Sequence, residues 1–327
     1  MRRLLTSLFV VLILSACGSG EDRRKINIAV VGKVEDSYWD NVKLGAEAAG
    51  RYLNVSVRFL APSKKDPEWQ REKIKELITK QIDGIAFAAS DSKSITPSIL
   101  KAMQSDIPCV AIDTDVSKSR HAFIGTDNYQ AGRQAGEKMM SLLEDEGKVV
   151  IVADSSQNSD SIERIRGFED ALSEHAGVEI AATLGKEDDP VQLSDVRSLF
   201  SSHQDLDGIF CASDSVSLGV AKAVQKIKMA SSSLKVWQVK IICIGESPDI
   251  MSLVQEKVIQ AAVARRPYRM GLLSVLVLHN MAKVGITNAS MILPESETID
   301  TGVVLVTPLN IIQYREHLEE LGAQVKF

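Results

Sequence analysis

Short runs of β-branched and apolar residues alternate with longer amphipathic stretches along most of this chain, and that alternation restricts it to βα units wound around parallel sheets. Strands are predicted at Ile26 to Gly32, Val55 to Leu60, Gly84 to Ala88 and Cys109 to Ile112 in the first half. The second half has them at Lys148 to Ala153, Val178 to Leu184, Gly208 to Ala212 and Lys240 to Gly245. After the first run, Val42, Ala46, Ala49 and Leu53 recur at helical spacing on one face. Asp66-Pro67, Asp189-Pro190 and Thr307-Pro308 each set a capping side chain before a proline, which needs no amide donor at the first helical position. Each predicts a helix start.

The chain also echoes itself. Asp83-Gly84-Ile85-Ala86-Phe87-Ala88-Ala89-Ser90-Asp91-Ser92 returns, one residue shorter, as Asp207-Gly208-Ile209-Phe210-Cys211-Ala212-Ser213-Asp214-Ser215. Both read as turn, buried strand and polar helix start, which points to two similar halves. In open α/β sheets a ligand sits beyond the carboxyl ends of the strands. That rule selects the turns at Lys33 to Trp39, Asp113 to Asp115, Ser213-Asp214 and Gly245 to Ser247. Between the halves' later elements, Lys226 to Lys240 reads as an extended helix and surface loop, with a partner contact around Trp237 as the other reading.

With 327 residues, 45% of them hydrophobic, the chain is long enough for two lobes with separate cores. A net charge of −5 without a basic block leaves no electrostatic footprint for nucleic acid. Cys109, Cys211 and Cys243 each lie inside an apolar run and read as buried core thiols; a bridge between Cys211 and Cys243, even if their strands were adjacent, would be geometrically demanding.

The first residues have a different character. Met1-Arg2-Arg3 is followed by an apolar run from Leu4 to Leu14, shorter than the ~18–20 residues a bilayer span needs. The run ends at Leu14-Ser15-Ala16-Cys17, which resembles a lipoprotein signal with its lipobox. The resemblance implies a signal peptide over residues 1–16, cleavage before Cys17 and acylation of that cysteine. Residues 17–25 then read as a polar tether.

From Ile26 to about Asn310 the chain resembles the periplasmic sugar-binding proteins of the ribose and galactose type. The motifs that carry it are Ile112-Asp113-Thr114-Asp115, Phe123 to Arg133, Glu163-Arg164-Ile165-Arg166-Gly167-Phe168, Arg266-Pro267-Tyr268-Arg269-Met270-Gly271 and Ile299 to Val304. The resemblance implies an α/β protein of two Rossmann-like lobes with parallel-sheet cores joined by a multi-strand hinge, the type I periplasmic binding protein fold. It places the crossings near Thr126, Arg265 and Asp300, so that residues 26–126 plus 266–299 form one lobe and 127–265 plus 300–327 the other. A ligand would lie between them, with closure by hinge motion.

The same resemblance implies site residues. Tyr38 and Trp39 occupy the positions of rings that stack on a sugar, Trp39 being the preferred one, or else cover the start of the following helix. Asp36 and Asp113 match acceptors for sugar hydroxyls, a role a carboxylate suits because it accepts from two vicinal hydroxyls at once. Aspartate after a strand is also a common helix cap, the preferred reading for Asp127 and Asp214. Thr114 belongs with Asp113, and Arg164 matches an arginine that reaches the cleft from the second lobe. The chain departs from the family at Gly245, usually aspartate, at Arg265, usually an amide, and at Ser213, usually asparagine. Glu246 offers a carboxylate one residue on from Gly245, and with Arg164 and Arg265 a sugar acid or cyclitol joins the neutral sugars as a candidate ligand.

The expected role is therefore capture of a sugar-like solute by a monomer outside the cytoplasm, lipid-anchored, and delivery to an ABC permease. A sensor that signals through a membrane kinase or chemoreceptor would have the same fold and site. His121, His175, His203 and His279 are scattered without metal-ligand spacing, and no phosphate-cradling glycine loop or nucleophile elbow occurs, so neither a cofactor nor catalysis is expected.

Overall fold

The computed structural model describes residues 24–154, 159–174, 177–185, 191–323 and 325–327. The signal segment, Cys17, His175 and the Asp189-Pro190 helix start lie outside the described residues. The first half of the chain runs β1 (Asn27–Val31), α1 (Ser37–Leu53), β2 (Ser56–Leu60), α2 (Pro67–Thr79), β3 (Gly84–Phe87), α3 (Ser92–Gln104), β4 (Cys109–Ile112) and β5 (Ala122–Gly125). The second half begins with α4 (Asn128–Leu143), β6 (Gly147–Ala153), α5 (Ser159–Ser173), β7 (Val178–Gly185), α6 (Leu193–Ser202) and β8 (Gly208–Cys211). It continues through α7 (Asp214–Ala230), α8 (Leu234–Gln238), β9 (Lys240–Ile244), α9 (Pro248–Gln255) and β10 (Ala261–Ala264). Then α10 (Pro267–Val284), α11 (Ile286–Ser290) and β11 (Thr298–Asp300) return to the first lobe, before β12 (Val304–Val306) and α12 (Ile311–Glu320) close the second.

The strands form two six-stranded sheets of matching order, β11-β5-β4-β3-β1-β2 and β12-β10-β9-β8-β6-β7. Among the described residues only the β10–β12 pairing is antiparallel. Because helices cover both faces, successive strand residues enter different cores: Ile28 and Val30 pack on one side of β1, Ala29 and Val31 on the other. In β8, Ile209 and Cys211 divide from Phe210 in the same way. The repeated segment sits at the same place in both sheets. Asp83 exchanges hydrogen bonds with Asn27 at the start of β1, and Asp207 does so with Lys148 near the start of β6.

Four strands escaped the sequence reading. β10 is Ala261-Ala262-Val263-Ala264, poor in β-formers but fully buried between its neighbours, so tertiary context overrides propensity. β11 and β12 span only 3 residues each, and β5 ends in glycine. The Asp66 cap is present, accepting from the Trp69 amide at 2.9 Å ahead of Pro67. Thr307-Pro308 instead opens a turn, and α12 starts later at Ile311. The reason is that the Asn310 carboxamide accepts from the Thr307 amide at 2.7 Å and donates to the Leu305 carbonyl at 2.9 Å. Lys226 to Lys240 is an extended α7 followed by the short α8, with Trp237 half exposed and its indole N–H donating to the Ser231 carbonyl.

Two helix pairs hold the lobes at backbone contact. A Cβ on Gly45 of α1 would fall 1.9 Å from the Tyr268 carbonyl oxygen of α10, and one on Gly271 would fall 1.9 Å from that of Val42. In the second lobe the same reciprocity links Gly132 of α4 to the Arg164 carbonyl at 1.9 Å, and Gly167 of α5 to the Tyr129 carbonyl at 2.0 Å. The two tyrosine-x-x-glycine segments, Tyr129 to Gly132 and Tyr268 to Gly271, therefore do the same job in the two halves.

The chain passes between sheets after β5, after β10 and after β11, and the first and last of these crossings are laced together. The Thr301 amide and hydroxyl both donate to the Gly125 carbonyl, at 2.7 and 3.1 Å. One Asp300 oxygen accepts from the Asp127 and Gly302 amides, both at 2.9 Å.

Gly132→Ala or Gly271→Ala is expected to cost about 2–3 kcal/mol by overpacking, because the opposing atom is backbone. Gly185→Ala, with nothing among the described residues within 4 Å of the added Cβ, should stay within about 0.5 kcal/mol of the parent. Urea unfolding separates the two, and equal losses would remove the close-approach argument. Cys211 and Cys243 are register partners on β8 and β9, yet they and Cys109 are free and buried. Burial pushes the Cys109 and Cys211 thiols up to about 12. All three thiols should resist a thiol reagent at pH 8 in the native protein and react once urea unfolds it; rapid native labelling would contradict the packing.

Candidate functional site

A cleft of about 790 Å³ opens between the lobes, bordered from one side by the turn after β1 and from the other by the turns after β8, β9 and β10. Its volume falls in the range of small-molecule sites. Asp113 anchors the first-lobe wall. Directly after β4 it adopts a left-handed backbone with φ 63°, a region aspartate tolerates better than most side chains, while its amide donates to the Ile124 carbonyl at 3.1 Å. Lys33, placed by the end of β1, donates to Asp113 Oδ2 at 2.6 Å and to the Thr114 hydroxyl at 2.5 Å. Tyr38 in the first turn of α1 donates to Asp113 Oδ1 at 2.7 Å. Burial alone would raise the Asp113 carboxyl, but the Lys33 and Arg265 charges and the bonds from Lys33 and Tyr38 hold it well below the usual carboxylate range.

The second lobe contributes Arg265, which directly follows β10. Its backbone N–H and Nε donate to Glu246 Oε2 at 2.9 and 3.2 Å, and its Nη2 donates to Oε1 at 2.5 Å. The guanidinium also lies 4.4 Å from the Tyr38 ring centroid, and its Nη1 is 3.7 Å from Asp113 Oδ1. One side chain thus touches a carboxylate and an aromatic ring of the first lobe and a carboxylate of the second. Desolvation opposes the charge on Arg265, but Glu246, Tyr38 and Asp113 outweigh it and push its ionisation well above the ordinary value.

Asp214, read from sequence as a helix cap, has another task. Ser213 holds the cap position of α7, and the Asp214 carboxylate accepts from the Glu246 and Ser247 amides at 3.2 and 3.3 Å and from the Ser247 hydroxyl at 3.1 Å. It braces the turn that carries Glu246. A Cβ on Gly245 would fall 2.8 Å from Asp214 Oδ2 and 2.7 Å from Ile250 Cδ1, so a larger residue at position 245 requires those two side-chain ends to shift. Asp127 does cap its helix, accepting from the Gln130 amide at 3.0 Å.

Asp36, Tyr38, Trp39, Asp113, Glu246 and Arg265 all border the cleft, and Thr114 is tied to it through Lys33. Several of them also hold the fold together. Asp36 caps α1, accepting from the Trp39 amide at 3.0 Å. Trp39 is only 3% exposed and packs on Gly32 and Phe59 in the first-lobe core, so the ring chosen as the sugar stacker is chiefly a core residue. Tyr38 meets it edge-on at 5.3 Å and is itself covered by Arg265. Arg164 stands behind the cleft wall rather than on it: 5% exposed, it donates to Asn128 Oδ1 at 2.7 Å and to the Ala212 carbonyl at 3.1 Å. Ser213 is likewise buried, its hydroxyl paired with Ser215, and Ser215 borders the cleft in its place.

Sequence reasoning missed Lys33 and Asp214 as site residues, although both lie in the turns that the strand-end rule selects. It also missed the segment after α12: Gly322, Ala323 and Val325 to Phe327 border the cleft, with Phe327 stacked on Tyr314 at 6.4 Å and its carbonyl accepting from Arg315 at 3.0 Å. No local pattern announces that contact. Chemically, the walls offer charged acceptors and donors suited to hydroxyl groups. Among the described residues no three histidine, cysteine or acidic side chains are grouped to hold a metal, and His121 is engaged with the Cys109 amide at 3.0 Å in the first lobe.

Tyr38→Phe removes one donor from a buried carboxylate and is expected to cost about 1.5–3 kcal/mol at pH 7. A depressed carboxyl contributes stability above its unfolded value, about 3.9, and loses it as pH falls toward the folded value. Parent and variant share the unfolded value, so the gap between them should hold steady from pH 7 to about pH 4 in urea unfolding and narrow only lower, where the variant's carboxyl, less depressed without the Tyr38 donor, takes up its proton first; a gap that changes between pH 7 and pH 5 would place the effect elsewhere.

The family described as Periplasmic binding protein domain matches residues 28–286. The D-allose-binding periplasmic protein of Escherichia coli is 25% identical over 289 residues, covering 85% of this chain and 90% of that protein. The ribose import binding protein of Salmonella typhimurium is 24% identical over 281 residues, covering 85% and 92%. Among solved structures, the sugar-binding protein of a sugar ABC transporter from Bacillus halodurans superposes with a TM-score of 0.81 at 28% identity, covering 89% of this chain and 100% of that one. A solute-binding protein from Burkholderia graminis, solved with D-arabinose, gives 0.76 at 28% identity, covering 90% and 99%. Two matched sheets, laced crossings, a polar cleft between the lobes and a match over most of the chain agree: the protein belongs to the periplasmic binding protein family, with the two-lobe type I fold.

Proposed function

We propose that this protein captures a sugar or related polyol between its lobes, outside the cytoplasm, and delivers it to an ABC importer. The observation that carries the reading is the Asp113 centre. A carboxylate kept ionised by Lys33, Tyr38 and Arg265 accepts strongly from hydroxyls, and the ammonium and guanidinium beside it can donate to the same ligand. Relatives named for allose and ribose binding and a neighbour solved with D-arabinose support the ligand class. A ligand that touches both walls stabilises the closed arrangement, with residues 26–126 plus 266–299 as one hinged body and 127–265 plus 300–327 as the other. A lipid on Cys17 would hold the receptor, as a monomer, at the membrane that carries its permease.

A thermal-shift screen of the mature protein against sugars, cyclitols and amino acids tests this. At a hundredfold excess over Kd a ligand adds about 2.7 kcal/mol, or roughly 5 °C or more in Tm. A sugar should give that shift, and Asp113→Asn should abolish most of it. A response only to amino acids, or an undiminished shift in Asp113→Asn, would refute the reading. Arg164→Ala, by contrast, should lower the melting temperature of the unliganded protein, because its partners are a buried carbonyl and a side chain of α4.

A further inference from the structure

Arginine in a sugar cleft ordinarily invites an acid, and the geometry here points the other way. We propose, building on the sugar-capture reading above, that Glu246 is a built-in counter-ion for Arg265 that restricts the cleft to uncharged polyols and excludes sugar acids. Glu246 takes three hydrogen bonds from Arg265, one from its backbone, and its side chain is 6% exposed. Asp214 braces the backbone of its turn through the Glu246 and Ser247 amides, while the bonds from Arg265 hold the carboxylate itself. The bidentate face that would grip a ligand carboxylate is already occupied by one from the protein.

The other cations nearby are engaged as well. Lys33 is committed to Asp113 and Thr114, and Arg164 to Asn128 and the Ala212 carbonyl. Lys43, Lys65 and Lys326 border the cleft too, but its whole lining holds five cations against six carboxylates, so its field does not favour an anion. An incoming sugar acid has to displace Glu246 or bring an unpaired charge beside Asp214 and Asp113. A neutral polyol meets neither cost, since its hydroxyls can accept from Arg265 Nη1 and donate to Asp113 while the ion pair stays intact.

The test is calorimetric titration of the mature protein with D-ribose, D-allose, D-arabinose and D-galactose, and with the corresponding uronic acids, D-riburonate, D-alluronate, D-arabinuronate and D-galacturonate, which keep a sugar ring and add only the carboxylate. The wild type should bind a neutral sugar at least a hundredfold more tightly than the matching acid. Glu246→Gln, which frees Arg265 while keeping the side chain's shape, should shrink that ratio at least tenfold. In Glu246→Gln/Arg265→Gln the acid should lose what it gained. An acid that binds the wild type as well as its neutral partner, or a ratio unmoved in Glu246→Gln, overturns the proposal while leaving sugar capture standing. If no neutral sugar binds the wild type, sugar capture falls and this assignment falls with it. The wild-type ratio needs no variant and remains decisive should Glu246→Gln fail to fold.

Discussion

Arg265 is the point at which the two lobes meet electrostatically. It leaves the second sheet at the end of β10, is neutralised by Glu246 of its own lobe, and lies over Tyr38 and beside Asp113 of the other. A guanidinium suits this position because its planar fork takes a bidentate carboxylate while its face covers an aromatic ring. Charges this buried persist only when paired, so the neighbours are constrained in turn. Lys33 and Tyr38 serve Asp113, and Asp214 braces the turn of Glu246.

That constellation needs a scaffold that positions strand ends to a fraction of an ångström. The matched strand orders supply it by placing the turns after β1 and β4 opposite those after β8 and β9. Reciprocal glycine contacts lock α1 against α10 and α4 against α5, and in both pairs one partner follows a crossing between sheets. The rigid pairs thus begin where a hinge would bend. Asp300 and Thr301 tie the first and last crossings to one another, so they would move as a unit.

Much of this was legible in the sequence. Strands buried on both faces read as continuous apolar runs, and the repeat at Asp83 and Asp207 marked equivalent positions in the two sheets. The strand-end rule located the cleft before any resemblance was invoked, and Asp113, Glu246 and Arg265 do meet there. What stayed hidden depends on neighbours distant in sequence. Trp39 is buried because Gly32 leaves its ring a place in the core, and Arg164 is drawn to a carbonyl on β8's following turn. Asp214 reads as a cap until α9's first turn is folded against it. The alanine-rich β10 has no local signature at all.

The most direct measurement is amide hydrogen exchange of the mature protein with and without the sugar that stabilises it. If the ligand sits between the lobes on the Asp113 and Arg265 centre, protection should rise together in residues 33–41 and 113–115 of one lobe and in 213–215 and 245–247 of the other. Protection confined to one lobe, or rising only outside these turns, would contradict capture in the cleft.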